Sequence, residues 1–293
     1  MHLAVLGNPK SWYAADLERA ATARGHRFVR LEYRQLAAFV PGDDRRPEYR
    51  NEDVELSDLD AVIVRTMPPG SLERVVFRMD VLARLEAAGV AVLNGPKAIE
   101  CAVDKYLTTS RLQAAGLPVP ETFVCEQADA ALAACERLGG DVVVKPVFGA
   151  EGRGIVRVSD PDLAFCTFRT LERIGAVLYL QRYIDHDGSD VRALLFDGDL
   201  LGAIRRSNNA DFRVNVSRSG SAKPHALTDR ETQLARRAAA ATDARFCGVD
   251  LLDDRDGTCH VIEVNGVPGW QAFARATGVD VAAEVIRRLE AHL

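Results

Sequence analysis

The sequence predicts an α/β protein with a parallel sheet in its N-terminal part. The observations behind this prediction are the order of the segments, the composition and the length of the chain. Short apolar runs of strand length alternate with helix-length segments from the first residues onward. A strand–helix–strand order of this kind implies parallel strands. The chain has 293 residues, of which 47% are hydrophobic and 27% are charged, as in an ordinary globular protein. At that length we expect two or three compact units, each with a core of its own.

The N-terminal part contains the elements of this sheet. The predicted strands are Leu3–Leu6, Phe28–Leu31, Ala61–Val64 and Val90–Leu93, and the predicted helices are about Tyr13–Arg24 and Leu72–Ala87. Residues 41–58 are polar and rich in Pro, Asp and Arg, which is typical of a surface loop. The first turn lacks the G-x-G-x-x-G pattern of dinucleotide domains, and the chain has no Walker A sequence. We therefore interpret this part as a scaffold or an acceptor-binding domain.

The middle part follows a predicted hinge at Asn94-Gly95-Pro96. Its predicted elements are helices at about Ala98–Ala115 and Ala128–Leu138 and strands at Thr122–Cys125 and Val142–Lys145. Phe148–Val158 then turns back and contains Gly149, Gly152 and Gly154. A loop with several glycines leaves N–H groups that can wrap phosphate oxygens, although a mobile hairpin turn has the same composition.

The C-terminal part is predicted to hold several strands and two helices. A strand at Val177–Ile184 precedes a hairpin made of 190–196 and 200–205, and an Arg-, Asn-, Ser- and Gly-rich functional loop covers 205–220. Thr228 and Glu231 have the spacing of a capping box, so a helix begins there and runs to about Ala244. The second predicted helix is Val279–His292.

Two apolar strands, Gly248–Leu252 and Val261–Val264, carry three oxygen-bearing side chains. Alternation places Glu263 and Asn265 on one face and turns Ile262 and Val264 toward a core. If the two strands pair, Asp250 joins Glu263 and Asn265, and such a set of hard oxygen ligands suits Mg²⁺. The alternative is a solvent-facing glutamate beside a turn asparagine.

Charge, cysteines and hydropathy exclude several classes of function. The net charge of −5 argues against nucleic acid as a partner. Six scattered cysteines, without a C-x-x-C pair, predict reduced thiols. We find no signal peptide and no apolar run of membrane-spanning length. We therefore expect a cytoplasmic protein without a membrane partner.

Taken in order, these motifs resemble the ATP-grasp superfamily and, within it, the RimK-like amino-acid ligases. The matching pieces are Asp104-Lys105, Val144-Lys145-Pro146, Leu180–Ile184, Asp211–Asn215, Gly248-Val249-Asp250 and Glu263–Gly269. The resemblance covers residues 94–293 and implies an ATP-grasp fold, in which a parallel-sheet pre-ATP-grasp domain precedes two α+β subdomains that clasp ATP. The implied boundaries are 1–94, 95–180 and 181–293.

The resemblance also implies roles for individual residues. Residues expected to bind ATP are Lys105, Lys145, Gly149, Gly152, Gly154, Gln181, Arg182, Tyr183, Ile184, Asp190, Arg213 and Asn215. Within that set the lysines would meet the phosphates, the 181–184 strand would offer backbone groups to adenine, and Asp190 would hold ribose. Asp250, Glu263 and Asn265 would hold two Mg²⁺ or Mn²⁺ ions. Arg192, Arg206 and Arg213 are the candidates for the γ-phosphate, the acyl phosphate or a substrate carboxylate, because a planar guanidinium suits all three.

The resemblance implies an ATP-dependent carboxylate–amine ligase that works through an acyl phosphate and joins an amino acid, glutamate by preference, to a small molecule or a one-carbon or pterin-type coenzyme. RimK-like modification of a protein or carrier-peptide C-terminus and a non-catalytic ATP-binding module are the alternatives. A homo-oligomer is left open. The chain departs from the family pattern twice: Arg182 replaces the usual glutamate in the adenine strand, and bulky Trp270 follows a Gly266-Val267 turn in the region that lines the family's substrate. Trp270 either lines the acyl site or packs in the core.

Overall fold

The computed structural model describes residues 1–149, 153–208 and 221–292. The chain divides into two compact units, and both are discontinuous in sequence. The first unit consists of Met1–Ile99, Ala244–Phe246 and Gly266–Leu293, and the second of Glu100–Asp243 and Cys247–Asn265. The three-part division predicted from the sequence stays a prediction. No helix within the three described stretches is long and apolar enough to span a membrane.

The first unit is built on the predicted parallel sheet. Its elements in chain order are β1 (His2–Leu6), α1 (Trp12–Ala23), β2 (Arg27–Leu31), β3 (Leu36–Phe39), β4 (Glu48–Asn51), β5 (Val54–Glu55), β6 (Ala61–Val64), α2 (Leu72–Ala87), β7 (Ala91–Leu93) and α3 (Pro96–Val103). The order across the main sheet is β2-β1-β6-β7, with parallel neighbours throughout. Strand side chains such as Leu6 and Val62 pack with Leu82 and Leu85 of α2 in its core.

The predicted loop at 41–58 is wrong for part of its length. β3, β4 and β5 form a small antiparallel sheet, in which Leu36 pairs with Asn51 and Arg50 with Glu55. β4 and β5 carry polar residues because most of their side chains are not buried, and β3 is apolar although only Leu36 of it is buried. An exposed strand lacks the apolar alternation by which strands are found.

The second unit contains two antiparallel sheets. Its elements in chain order are α4 (Lys105–Ala114), β8 (Thr122–Cys125), α5 (Ala128–Arg137), β9 (Val142–Lys145), β10 (Val156–Val158), α6 (Pro161–Arg173), β11 (Leu178–Arg182), β12 (Ser189–Phe196), β13 (Asp199–Ser207), β14 (Ser221–Pro224), α7 (Asp229–Ala241), β15 (Phe246–Asp253) and β16 (Cys259–Asn265). The strand orders are β10-β9-β11-β8 and β14-β13-β12-β15-β16. The chain ends with α8 (Gln271–Thr277) and α9 (Val281–Glu290) in the first unit.

Helix ends account for one further difference from prediction and for one confirmation. The single helix expected at 98–115 is two helices, because Asp104 leaves the helical conformation and caps α4 by accepting a hydrogen bond from the Leu107 N–H at 3.0 Å. The capping box at Thr228 is confirmed: its hydroxyl accepts from the Glu231 N–H, and Glu231 accepts from the Thr228 N–H. α6 and α8 were not predicted.

Asn94, the first residue of the predicted hinge, is a buried clamp within the first unit. Its side-chain amide donates to the carbonyls of Phe246 and Gly266 at 2.7 and 2.6 Å and accepts from the Phe246 N–H at 2.9 Å. One side chain thereby holds Phe246 and Gly266, which belong to the same unit, in fixed positions.

Candidate active site

One cavity in the second unit is lined by seven of the predicted site residues, namely Lys145, Gln181, Arg182, Tyr183, Ile184, Asp190 and Asp250. Its apolar walls come from opposite sides: Val143 and Ile155 belong to the β9–β10 region, and Leu252 and Ile262 to β15 and β16. A cleft with apolar walls and a few convergent polar groups is the usual form of a small-molecule site.

Ile262 lies in this cavity wall, although the sequence predicted it in a core. The pairing of β15 with β16 shifts after Asp250, so that Asp250 faces Glu263 while Leu251 faces Val261. Ile262 is the extra residue of the resulting bulge. A bulge re-aims side chains, and simple alternation cannot predict it.

The 181–184 segment offers fewer backbone donors than expected. The Arg182 N–H donates to the Glu121 carbonyl at 2.8 Å, and the Tyr183 N–H donates to the Asp141 carbonyl at 3.0 Å. The Ile184 N–H has no acceptor among the residues that the structure describes. Of the N–H groups of residues 182–184, it is therefore the one without a partner in the described part of the chain.

Side chains of the same segment have partners outside the cavity. The Arg182 guanidinium is exposed and donates to Glu121 at 2.9 Å. The Arg157 guanidinium lies over the Tyr183 ring, with its Cζ 3.5 Å from the ring centroid, and Arg157 also pairs with Asp141. The Arg182 side chain therefore pairs with Glu121, and its backbone N–H keeps a separate partner in the Glu121 carbonyl.

Lys145 lies at the polar end of the cavity and is held by Gln181. Its Nζ donates to Gln181 Oε1 at 2.6 Å, and Gln181 in turn donates to Thr122 and Tyr179 at 3.1 and 3.2 Å. Burial lowers the pKa of Lys145 to about 8, and the Glu263 carboxylate offsets only part of that effect. Thr122 and Tyr179 were not predicted as site residues, because neither belongs to a recognisable motif.

Lys105 begins α4 and reaches the glycine loop. Its Nζ donates to the Gly149 carbonyl at 2.8 Å. Burial lowers the pKa of Lys105, and Glu263 again opposes the shift. Both lysines therefore lie within electrostatic reach of one carboxylate.

Of the three predicted loop glycines, Gly149 and Gly154 lie close to Pro146. A Cβ on Gly149 would be 3.0 Å from the Pro146 Cγ, and a Cβ on Gly154 would be 3.5 Å from it. Gly154 has a φ of +75°, a conformation that favours glycine. Gly152 lies outside the described residues, as do Arg213, Asn215 and the rest of the 211–215 motif.

Two aspartates and two arginines form a buried network beside the lysines. Arg192 donates to both oxygens of Asp250 at 2.7 and 2.6 Å, and Arg206 lies 3.1 Å from Asp250. Arg206 also makes a two-pronged contact with Asp190, its partner across β12 and β13. The guanidinium groups of two predicted catalytic arginines are thus bound to predicted ligand residues, and their predicted contacts with substrate stay predictions.

The network sets the charge of its members. Burial would raise the pKa of Asp250, but Arg192 and Arg206 together hold it below its ordinary value. Burial raises the pKa of Asp190 in spite of Arg206. Burial would lower the pKa of Arg206, but Asp250 and Asp190 raise it. Asp250 is therefore the carboxylate held in its charged form.

The predicted metal ligands lie on one face of β15 and β16. Asp250 pairs directly with Glu263, and Gly248 with Asn265, so the three side chains share that face. Glu263 and Asn265 are half-buried, and neither side chain has a partner among the described residues. No three His, Cys, Asp or Glu residues in the described stretches could hold an ion by themselves. Two carboxylates with the amide oxygen of Asn265 give an all-oxygen set that fits Mg²⁺ or Mn²⁺.

Trp270 does not line an exposed surface. It is 1% exposed, its ring contacts those of Tyr13 and Phe246, and its Nε1–H donates to Asp16 at 2.9 Å. The alternative in which Trp270 packs in the core is the one that the structure confirms.

This chain is similar to known proteins over almost its whole length. Residues 102–289 match the family model of the RimK-like ATP-grasp domain, and residues 1–99 match that of the RimK PreATP-grasp domain. Tetrahydromethanopterin:alpha-L-glutamate ligase of Methanosarcina acetivorans is 34% identical over 97% of this chain and 96% of that protein. Ribosomal protein bS6--L-glutamate ligase of Escherichia fergusonii is 31% identical over 100% of this chain and 96% of that protein.

Among solved structures, the ATP-grasp ligase PsnB complexed with minimal precursor, Mg and ADP has a TM-score of 0.78 at 22% identity, covering 99% of this chain and 96% of that one. At this identity the likeness shows a shared fold and leaves the substrate to be argued from the site.

Proposed function

This chain belongs to the RimK-like ATP-grasp family, and from that premise we propose that it joins glutamate to the carboxylate of a small-molecule coenzyme. Its fold is the predicted ATP-grasp fold, and it is an ATP-dependent, ADP-forming ligase like its relatives. The proposal concerns its two substrates and the roles of individual residues.

One observation supports the proposal above the others: one cavity of the second unit is lined by seven of the residues predicted to bind ATP or metal. Its apolar walls suit a flat base, and the Ile184 N–H, which has no acceptor among the described residues, is available as a donor to that base. Lys145 lines the same cavity, and both Lys145 and Lys105 lie within electrostatic reach of Glu263. The base would therefore lie against the apolar walls and the phosphates beside the lysines.

We assign the phosphates to Lys145 and Lys105 and the ribose to Asp190. Lys145 is oriented by Gln181, and Lys105 links α4 to the glycine loop through Gly149. Asp250, Glu263 and Asn265 would hold divalent metal, which supplies charge stabilisation at the transferred phosphoryl group when bound. Arg192 and Arg206 hold Asp250 and Asp190 in place for these contacts.

The chemistry needs no protein nucleophile. A carboxylate oxygen of the acceptor attacks the γ-phosphorus and ADP leaves, which gives an acyl phosphate. The amine nitrogen of glutamate then attacks the acyl carbon, phosphate leaves, and an amide remains. The protein's contribution is positioning and electrostatic stabilisation by fixed positive groups.

The choice of glutamate and of a coenzyme rests on the relatives. The relatives of Methanosarcina and Escherichia both carry glutamate ligase in their names, and one acts on tetrahydromethanopterin. The other acts on a ribosomal protein, and its identity of 31% keeps protein C-terminal modification as the second candidate.

A substrate screen tests the proposal. The full chain is incubated with Mg-ATP, each amino acid and a panel of coenzyme acids or C-terminal peptides, and ADP, phosphate and product mass are measured. We expect ADP and phosphate only when acid and amine are both present, and a hydroxamate when hydroxylamine replaces the amine. Lys145→Met should abolish turnover, whereas Lys223→Met, an exposed lysine on β14, should not. Formation of AMP and pyrophosphate would show that the acyl-phosphate route is wrong.

A further inference from the structure

Arg65 lies at the carboxyl edge of the parallel sheet, directly after β6. It is the neighbour of Gly7, which follows β1: a Cβ on Gly7 would lie 2.8 Å from that of Arg65. The sheet order β2-β1-β6-β7 means that the chain leaves β1 to one side for β2 and later returns on the other side for β6. Ligands of open parallel sheets bind outside the carboxyl ends of the strands where the order reverses in this way. Arg65 stands at that position.

The Arg65 guanidinium is buried against aromatic rings. The residue is 6% exposed, and its Cζ lies 4.7 Å from the Tyr13 ring centroid and 4.6 Å from that of Trp270. Burial lowers the pKa of Arg65 to about 10, and the groups that oppose this shift are tyrosines. The side chain is still a cation at neutral pH.

This cation has no counter-charge among the residues that the structure describes. Among the described residues no carboxylate pairs with Arg65, and no oxygen accepts a hydrogen bond from its guanidinium. Arginine is rarely buried without a partner, because an unpaired buried charge is costly. Arg78, a buried arginine of the same unit, shows the usual arrangement: it lies over Tyr33 and donates to the Pro68 carbonyl at 2.7 Å.

The aromatic side chains around Arg65 are fixed by contacts of their own. The Trp270 Nε1–H is bound by Asp16, and a Cβ on Gly269 would lie 2.7 Å from the Tyr13 hydroxyl oxygen. The rings of Tyr13 and Trp270 meet edge to face at 4.8 Å. Arg65 is therefore held in one place before any ligand arrives, which lowers the entropic cost of binding.

We propose that Arg65, framed by Tyr13 and Trp270 at the carboxyl ends of β1 and β6, is a binding site for a carboxylate group of one of the substrates. The fork of a guanidinium matches a carboxylate through two parallel hydrogen bonds. One unpaired positive charge matches a monoanion, and the aromatic rings suit the apolar stem that carries it. The positive end of α1, which begins beside the same sheet edge, favours an anion too.

The identity of the carboxylate rests on the proposed function, which offers two sources. One is glutamate, with its α- and side-chain carboxylates, and the other is a carboxylate of the acceptor other than the one that reacts. The existence of the site does not depend on that function, because it follows from an unpaired buried cation in the first unit.

The test compares the full-length Arg65→Met and Arg78→Met variants. Because methionine removes an uncompensated charge at 65, Arg65→Met should melt at or above the wild-type temperature without ligand. Arg78→Met should melt lower, since it leaves the half-buried Pro68 carbonyl without the guanidinium that donates to it. L-Glutamate and glutarate are the probes: one of them, or the accepted acid, should raise the melting temperature of the wild type and of Arg78→Met but not that of Arg65→Met.

Kinetics then identify the source. In Arg65→Met the KM of one carboxylate substrate should rise about tenfold to a hundredfold while the KM of ATP stays unchanged. Glutamate as that substrate assigns the site to the amino acid, and the acid as that substrate assigns it to the acceptor. If Arg65→Met fails to fold, Arg65→Lys, which keeps the charge and loses the fork, should fold and bind more weakly.

A lower melting temperature for Arg65→Met, with unchanged carboxylate binding, would overturn the site and make Arg65 structural. Absence of turnover with every acid and amine would reject the proposed function. The melting-temperature comparison would still test the Arg65 site, so failure of the site and failure of the proposed function can be told apart.

Discussion

Arg192 on β12 and Asp250 on β15 form a two-pronged ion pair, 2.7 and 2.6 Å long, and Asp250 lines the cavity of the second unit. Asp250 is also the residue that faces Glu263 across β15 and β16. One carboxylate is thereby shared between a buried structural network and the proposed metal site. The position of the Asp250 carboxylate should therefore be sensitive to the loss of Arg192 or of Arg206.

We expect Arg192→Met to lower the free energy of unfolding by about 3 kcal/mol, because it leaves Asp250 buried with Arg206 as its remaining partner. The control is Arg169→Met, which breaks a pair with Asp129 whose side chains are 40% and 79% exposed. That loss should stay below about 1 kcal/mol. Urea denaturation of both variants at neutral pH makes the comparison, and equal losses would contradict a buried network.

The parts of the fold that follow from local pattern were predictable. The bounds of α2, β6, β8 and β9 agree with the sequence prediction, since each is an apolar run or an amphipathic helix between turn residues. β3 to β5 were not predictable, because β4 and β5 carry polar side chains that are mostly not buried and β3 shows no apolar alternation. Asp104 shows a third case: its capping signal was present, but an uninterrupted helical pattern on both sides concealed it.

The site was predictable where residues belong to motifs and unpredictable where they act through distant partners. Lys145, Gln181 and Asp250 come together in one cavity as the motif order implied. The Arg192–Asp250 pair joins residues 58 apart in sequence, and Arg65 meets Trp270 only in the folded unit. A lone arginine after an apolar strand has no local signature of its burial or of its missing counter-charge.

Asn94→Ala should lower the free energy of unfolding by about 3 kcal/mol, because it removes the three buried hydrogen bonds that the Asn94 side chain makes with Phe246 and Gly266. Asn8→Ala is the matched control, since Asn8 accepts one exposed hydrogen bond from the Lys10 N–H. It should change stability by about 0.5 kcal/mol or less. Chemical denaturation of both measures the difference; a tolerant Asn94 would show that the clamp is dispensable.

Thiol reactivity should separate the cysteines by burial. Burial raises the pKa of Cys247 and of Cys259 to about 12, whereas Cys166 is exposed on α6. Because the thiolate is the reactive form, a disulfide reagent at pH 8 should modify Cys166 quickly and the buried thiols only on unfolding. Cys166→Ser should abolish the fast phase, and Cys247→Ser should leave it; rapid reaction in Cys166→Ser would contradict the burial.

Activity should require Mg²⁺ or Mn²⁺ and should depend on Glu263. This half-buried carboxylate has no protein partner among the described residues, so Glu263→Gln should keep its melting temperature while kcat falls at least about a hundredfold. Glu284→Gln, which removes a surface partner of Arg287, is the control and should keep full activity. Turnover in excess EDTA would reject the metal assignment.

The last prediction concerns protons and follows from Lys145. Burial lowers its pKa from 10.5 to about 8. Between pH 8 and pH 10.5 this lysine binds more protons in the unfolded chain than in the folded chain, so the free energy of unfolding increases as pH rises through that range. The increase is lost again as pH falls through 8. Nucleotide phosphates favour the ammonium form, so ATP binding at pH 9 should take up protons, up to about one per site from this lysine. Calorimetry in buffers of different ionisation enthalpy measures that uptake. Lys145→Met should reduce it and leave the smaller contribution of Lys105, whose pKa is also lowered by burial. Uptake that is unchanged in Lys145→Met would place the phosphates away from this side chain.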